Sequence, residues 1–275
     1  MKETNISIDG YDVRISEKGS GPAVILLHGL GGSLEWWESN LNALSQKYRV
    51  IAFDFLGFGH SAKPKIRFSL DVASDFMLSF LDAFALPKAS LIGNSMGGLI
   101  ALHTASKFPE RVERLILVDN AGFGPEVSFI LCLASVYPVG EFVLAMRNHF
   151  TARMILSHLF YDSKRLPSHL VNCILRILDL PRTGEVCLEV LRSGVNLKGL
   201  RDIIWISIQK RAESLPHKTL IIWGADDRIT PLFQAYMGKN LIKNSKLLVF
   251  EKCGHLPQVE WAEKFNRAVV DFLES

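Results

Sequence analysis

Leu91-Ile92-Gly93-Asn94-Ser95-Met96-Gly97-Gly98-Leu99 is the stretch whose reading decides how this chain folds. An apolar run rich in Ile, Leu and Ala ends at Gly93, and a helix-favouring run begins at Met96, which leaves Ser95 on the turn between strand and helix. Gly93 and Gly97 stand two residues to either side, where a side chain would strike neighbouring backbone if the turn is sharp. The serine is thereby pushed out of the sheet and offered to substrate. A G-x-S-x-G match is short and arises by chance in glycine-rich loops. Its weight comes from context: a buried-type strand before it, a helix after it, and acid and histidine candidates downstream in a suitable order.

Working outward, Ala23 to Leu27, Arg49 to Phe53, Leu115 to Val118, Thr219 to Trp223 and Lys246 to Phe250 are further apolar runs, of the kind buried on both faces of a parallel sheet. Residues 5–16 alternate apolar and polar around Asp9-Gly10 and read as a hairpin at the sheet edge. Helical patterns lie between the runs. One carries Trp36, Trp37, Leu41 and Leu44 after a possible Ser33 cap; another carries Val72, Phe76, Met77, Phe80 and Leu81 after Ser69. A last amphipathic helix spans Val259 to Leu273.

From Phe123 to Leu215 strand-like runs give way to helical ones: 129–134, 141–146, 151–159, 166–178, 184–191 and 200–212, punctuated by Pro138, Pro167, Pro181 and Pro216. The expected organisation is an α/β core of residues 1–122 and 216–275 with an all-helical cap of residues 123–215 over the sheet edge where open α/β sheets bind ligands. The central sheet is mostly parallel with helices on both faces. The apolar residues of the cap, beyond those that pack it on the core, would line a pocket for small or medium apolar substrates.

With 275 residues, 48% hydrophobic and 21% charged, the chain is long enough for one full core. A net charge of +3 from scattered basic residues argues against a nucleic-acid partner. Cys132, Cys173, Cys187 and Cys253 show neither CxxC spacing nor clustering, which suits free thiols in a reducing compartment. The start Met1-Lys2-Glu3-Thr4-Asn5 lacks a signal-peptide apolar region, so a cytoplasmic location is expected. The longest uncharged stretch, Val127 to Gly140, is about 14 residues, short of a bilayer span, so no stable membrane insertion is expected.

A serine hydroxyl needs a base to take its proton as it attacks, and that base needs a carboxylate to fix its tautomer and stabilise the imidazolium. His255, in Gly254-His255-Leu256-Pro257, and Asp227, in Gly224-Ala225-Asp226-Asp227, each follow a parallel-type strand, as Ser95 does. All three therefore fall on one sheet edge. An oxyanion needs backbone N–H groups aimed at one point, and the loop His28-Gly29-Leu30-Gly31-Gly32 lets backbone approach a ligand closely. The expected donors are the N–H groups of Leu30 and Met96. His28 reads as a hydrogen-bonded loop stabiliser, and Asp54, in a tight loop running to Ser61, as a side-chain anchor for backbone.

His28-Gly29, Asp54 to Ser61, Gly93 to Gly98, Trp223-Gly224-x-x-Asp227 with Pro231, and Gly254-His255-x-Pro257 with Glu260 together resemble the α/β-hydrolase superfamily over essentially the whole chain. The resemblance selects Asp227 over Asp226 by its spacing to Pro231, with Asp119 as the rival acid after an earlier strand. It implies a Ser-His-Asp mechanism through an acyl-enzyme, with no metal and no organic cofactor. Ser95 stands where dehalogenases and epoxide hydrolases of the superfamily carry aspartate, which points instead to carbonyl substrates. A carboxylesterase is the first expectation.

The alternative is a carbon–carbon bond hydrolase acting on ring-fission diketones of aromatic catabolism, which the elbow, the Asp226-Asp227-Arg228 stretch and Lys252 to His255 also resemble. Those enzymes carry tryptophan after the histidine, where this chain has Leu256, and a proline in the oxyanion loop. Their extra cap arginine could correspond to Arg182 or Arg192. A small-molecule receptor on the same scaffold is the reading from another class. The partner expected in the enzyme readings is a small-molecule ester or diketone, and oligomeric state is not fixed by the sequence.

Overall fold

The structure is a computed structural model that describes residues 2–146 and 148–275. The chain opens with strands β1 (Glu3–Ile8) and β2 (Tyr11–Lys18), joined through Asp9 and Gly10, both at positive φ as a two-residue hairpin turn requires. There follow β3 (Ala23–Leu27), α1 (Glu38–Leu44), β4 (Arg49–Phe53), α2 (Leu70–Ala83), β5 (Ala89–Asn94), α3 (Met96–Lys107) and β6 (Val112–Val118). The expected cap segment holds α4 (Phe129–Ala134), α5 (Val139–Ala145), α6 (His149–Ser157), α7 (Ser168–Leu178), α8 (Thr183–Gly194), the short strands β7 (Val195–Asn196) and β8 (Gly199–Leu200), and α9 (Asp202–Glu213). The sheet framework resumes with β9 (Thr219–Gly224), α10 (Phe233–Leu241), β10 (Ser245–Phe250), α11 (Pro257–Glu260) and α12 (Ala262–Glu274).

Eight strands form one sheet in the order β1-β2-β4-β3-β5-β6-β9-β10, antiparallel at β1 and β2 and parallel from β4 onward. The apolar runs are continuous because both faces are covered. Ile25, Leu27, Ile51 and Phe53 pack under α2 and α3 with Phe80 and Leu102, while Val24, Leu26, Val50 and Ala52 pack on the other face with Trp37, Phe265 and Val269. The chain leaves β3 for β4 on one side and returns to β5 on the other. The crevice between the ends of β3 and β5 is thus the topological switch point, where open α/β sheets bind ligands.

One expectation for the inserted segment needs correction: it is not all-helical, because β7 and β8 pair antiparallel across Leu197-Lys198. Its α9 packs on the core, with Ile208 and Ala212 fully buried in the cluster that holds residues of α3, β6 and α8. Apolar periodicity reports that a helix has a buried face, not which body that face meets. The final helix is likewise broken at Trp261 into α11 and α12.

Candidate active site

Ser95 lies between β5 and α3 with φ 55° and ψ −117°, a conformation a non-glycine residue holds only when its surroundings impose it. A Cβ on Gly93 would fall onto the Gly97 carbonyl, and one on Gly97 onto the Leu27 carbonyl of the neighbouring strand end. Both glycines are therefore required by backbone contact, as the spacing suggested. The turn is closed by Ser95 N–H donating to the Val118 carbonyl at 2.9 Å.

Beside it, the loop after β3 turns at Gly29–Gly32, where Gly32 N–H donates to the Gly29 carbonyl at 3.0 Å. A Cβ on Gly29 would sit 3.1 Å from Ser95 Cβ, so this loop faces the serine directly. Leu30 is its next residue, and Met96 N–H is the first of α3, without a partner inside the helix. His28 Nε2 accepts from Phe55 N–H at 3.0 Å while Nδ1 donates to the Gly29 carbonyl at 2.8 Å, a neutral imidazole whose pKa burial pushes down. It stabilises the loop, as expected. Asp54 is the anchor expected of it, accepting from Leu34 N–H at 2.7 Å, His60 N–H at 2.8 Å and Arg14 at 3.1 Å. Ser33 makes no side-chain cap, because Asp54 has taken the first helical N–H in its place.

On the far side of β5, His255 Nδ1 lies 2.7 Å from Asp227 Oδ2. The carboxylate is fully buried and held by Ile229 N–H at 2.7 Å and the Thr230 hydroxyl at 2.7 Å, which leaves it a fixed acceptor for the imidazole. Asp226 is exposed. Asp119, at φ 44° after β6, takes Gly224 N–H on Oδ1 at 2.9 Å and leaves the buried Oδ2 without a partner. One side-chain atom from each of Asp119, Asp227 and His255 lies within 4.8 Å of the others. Burial, and next the charge of Asp227, hold the Asp119 carboxyl well above the usual carboxylate range.

The structure brings His255 and Asp227 into contact and places both loops on the edge that carries Ser95. The Ser95 hydroxyl itself makes no hydrogen bond among the described residues; its link to the histidine runs through the backbone. Asn94, fully buried, donates to the His255 carbonyl at 3.0 Å and to the Val118 carbonyl at 3.2 Å. Sequence reasoning quoted Asn94 only as part of a motif. It also gave Glu260 no role, yet its carboxylate accepts from Gly254 N–H at 2.8 Å, Asp162 N–H at 3.0 Å and Tyr161 N–H at 3.2 Å, stitching the inserted segment to the histidine loop. His255 N–H meanwhile donates to the Leu159 carbonyl at 2.7 Å. Arg182 is committed to Glu185 and the Lys63 carbonyl, and Arg192 to both oxygens of Glu141 at 2.7 Å.

Residues 22–148 and 163–261 match the family model for the alpha/beta hydrolase fold. The chain belongs to that family. This hydrolase is 32% identical over 272 residues to a 2-hydroxymuconate semialdehyde hydrolase of Pseudomonas sp. strain CF600, covering 96% of this chain and 91% of the relative. Its structure resembles that of a meta-cleavage product hydrolase from Pseudomonas fluorescens, with a TM-score of 0.85 and 28% identity over 98% and 97% of the two chains. A membrane phospholipase A also aligns, with a TM-score of 0.82 and 26% identity over 99% of this hydrolase and 86% of that chain.

Proposed function

We propose that this α/β hydrolase cleaves a carbon–carbon bond beside a ketone in ring-fission-type diketones, with Ser95 as nucleophile, His255 as base and Asp227 as its carboxylate partner. The observation that carries the chemistry is the 2.7 Å contact between His255 and Asp227 on the edge that presents Ser95. The substrate class rests on relatives of that activity that align along nearly the whole chain. This order reverses the expectation from sequence, in which esters came first.

The proposed steps are these. Ser95 Oγ attacks the ketone carbonyl while His255 Nε2 takes its proton, and the Leu30 and Met96 N–H groups receive the oxyanion. Collapse breaks the carbon–carbon bond. The electron pair leaves on a carbon conjugated to the second carbonyl, as a dienolate, and the proton on His255 completes that product. Water, deprotonated by His255, then releases the acyl group from Ser95 as a carboxylic acid. Asp227 keeps Nδ1 protonated throughout, so Nε2 is the basic nitrogen. The α4–α8 segment is the proposed cap over this site.

Ester hydrolysis is the second reading, favoured by a specific feature. Both cap arginines considered as a substrate-carboxylate partner, Arg182 and Arg192, are engaged by glutamates, and Leu256 after the histidine is buried among apolar residues of α6 and α7. An uncharged ester suits such a site. Wild type and Ser95→Ala are to be assayed spectrophotometrically with a p-nitrophenyl ester series and a ring-fission diketone. Turnover of the diketone, lost in Ser95→Ala, supports the proposal; turnover of esters alone replaces it with the second reading. Binding without turnover of either favours a receptor.

A further inference from the structure

The helices α4, α5 and α6 are apolar on the side they turn to solvent. A surface helix ordinarily pairs a buried apolar stripe with a polar outer face. Here α4 buries Cys132 but exposes Phe129 (68%), Ile130 and Leu133, at the spacing of one helical face. α5 buries Gly140 and exposes Val139 and Phe142 (66%). α6 buries Thr151, Ala152 and Leu156 and exposes Phe150 (78%), Met154 and Ile155. Of the 19 exposed large hydrophobic residues among the described ones, 11 fall between residues 129 and 161, eight of them on the three helices. That concentration is far beyond the scattered apolar residues of an ordinary surface.

The charges around these residues are one-sided. Between 127 and 161 the only acidic residue of the sequence is Glu141, and Arg192 occupies it with both guanidinium nitrogens; Arg153 is on the same stretch and, among the described residues, pairs with no acidic side chain. A second copy of the chain would bring no free acidic side chain from this stretch to meet Arg153 across a two-fold axis. An anionic lipid surface complements them. The helices have 6, 7 and 9 residues, and among the described residues no helix is long and apolar enough to cross a membrane, so the fitting geometry is lying in the interface with the rings immersed.

We propose that the α4–α6 face of this protein docks on anionic lipid bilayers, its exposed aromatic and aliphatic side chains entering the headgroup region while Arg153 meets the lipid charge. The inference is independent of the bond that the enzyme cleaves.

The test is co-sedimentation of the full chain with vesicles of phosphatidylcholine containing about 30% phosphatidylglycerol, against pure phosphatidylcholine. Wild type is expected to pellet with the anionic vesicles and about tenfold less with the neutral ones. Phe142→Asp/Phe150→Asp is expected to lose at least about tenfold in partitioning, with an unchanged circular dichroism spectrum. Arg153→Glu, which leaves the apolar face intact, is to weaken only the anionic arm. Protein remaining in the supernatant with anionic vesicles, or variants that pellet like wild type, would overturn the proposal. So would a dimer by light scattering that the double variant dissociates, which would assign the face to self-association.

Discussion

The side-chain amide of Asn94 donates to the main-chain carbonyl of His255 at 3.0 Å, so the residue preceding the proposed nucleophile holds the backbone of the proposed base. Both groups are buried, and no solvent replaces the bond if it is lost. Asn94→Ala is expected to lower kcat by about tenfold while KM changes by less than about threefold, because the amide positions His255 without touching substrate. Steady-state kinetics on whichever substrate class is turned over provides the check. A KM effect with kcat intact would show that the bond serves binding instead.

Asp119 and Asp227 lie beside each other at His255, and burial and the neighbouring carboxylate hold the Asp119 carboxyl well above the usual range. Asp227→Ala is expected to lower kcat by about 10³ or more, since it removes the acceptor of His255 Nδ1. Asp119→Asn, which mimics the protonated carboxyl, is expected to stay within about threefold of wild type with the acid limb of the kcat/KM profile unmoved. If Asp119 were ionised, removing its charge would carry that limb downward by a unit or more.

The same carboxyl makes a prediction for stability. Its folded pKa is raised, so folding is unpenalised below the ordinary carboxylate value near 3.8 and stability is lost as pH rises toward the folded value. Asp119→Asn is therefore expected to raise Tm at pH 8 and leave it nearly unchanged at pH 3. Thermal unfolding followed by circular dichroism at the two pH values measures the difference. Asp227, Glu260, Cys253 and His255 are the titratable groups closest to this site, and their charges are common to both proteins.

His103, buried on α3 and 2.9 Å from the Ser74 hydroxyl, gives the opposite dependence. Burial first, and then the charge of Arg211, push its pKa down to about 4. The unfolded chain binds this proton more readily, so the neutral imidazole's contribution is complete above about 6.5 and is lost as pH falls toward 4. Urea unfolding between pH 7 and pH 4 is expected to show a loss of stability that His103→Gln makes shallower. An equal slope in the variant would place the titrating group elsewhere.

Glu260 joins the inserted segment to the histidine loop with one carboxylate and three backbone donors. Glu260→Ala leaves the buried Gly254 N–H and the part-buried Tyr161 and Asp162 N–H groups unpaired and is expected to cost about 2 kcal/mol by urea unfolding. Limited proteolysis is to show faster cleavage near residues 159–165. An unchanged cleavage rate would mean that the His255 to Leu159 bond and the Arg165 to Glu260 carbonyl bond suffice.

Residues close in the chain carry their own reasons. The sheet strands are readable because two-sided burial turns them into continuous apolar runs. The sharp turn at Ser95 is readable because Gly93 and Gly97 are demanded by backbone contacts within and beside the turn itself. Asp54 and His28 could be identified as anchors because glycine-rich loops expose backbone donors that a nearby side chain must satisfy.

What only the folded chain decided are partnerships across sequence distance. Asp227 meets His255 from 28 residues away, Asn94 from 161, and Glu260 reaches Tyr161 across 99, and no local pattern encodes which strand ends adjoin. The burial of α9 against the core and the raised pKa of Asp119 have the same origin. A helical stripe or a lone carboxylate has its apolar surface or its charge written in the sequence, but the body that buries it, and the charge it is buried beside, exist only once the sheet is assembled.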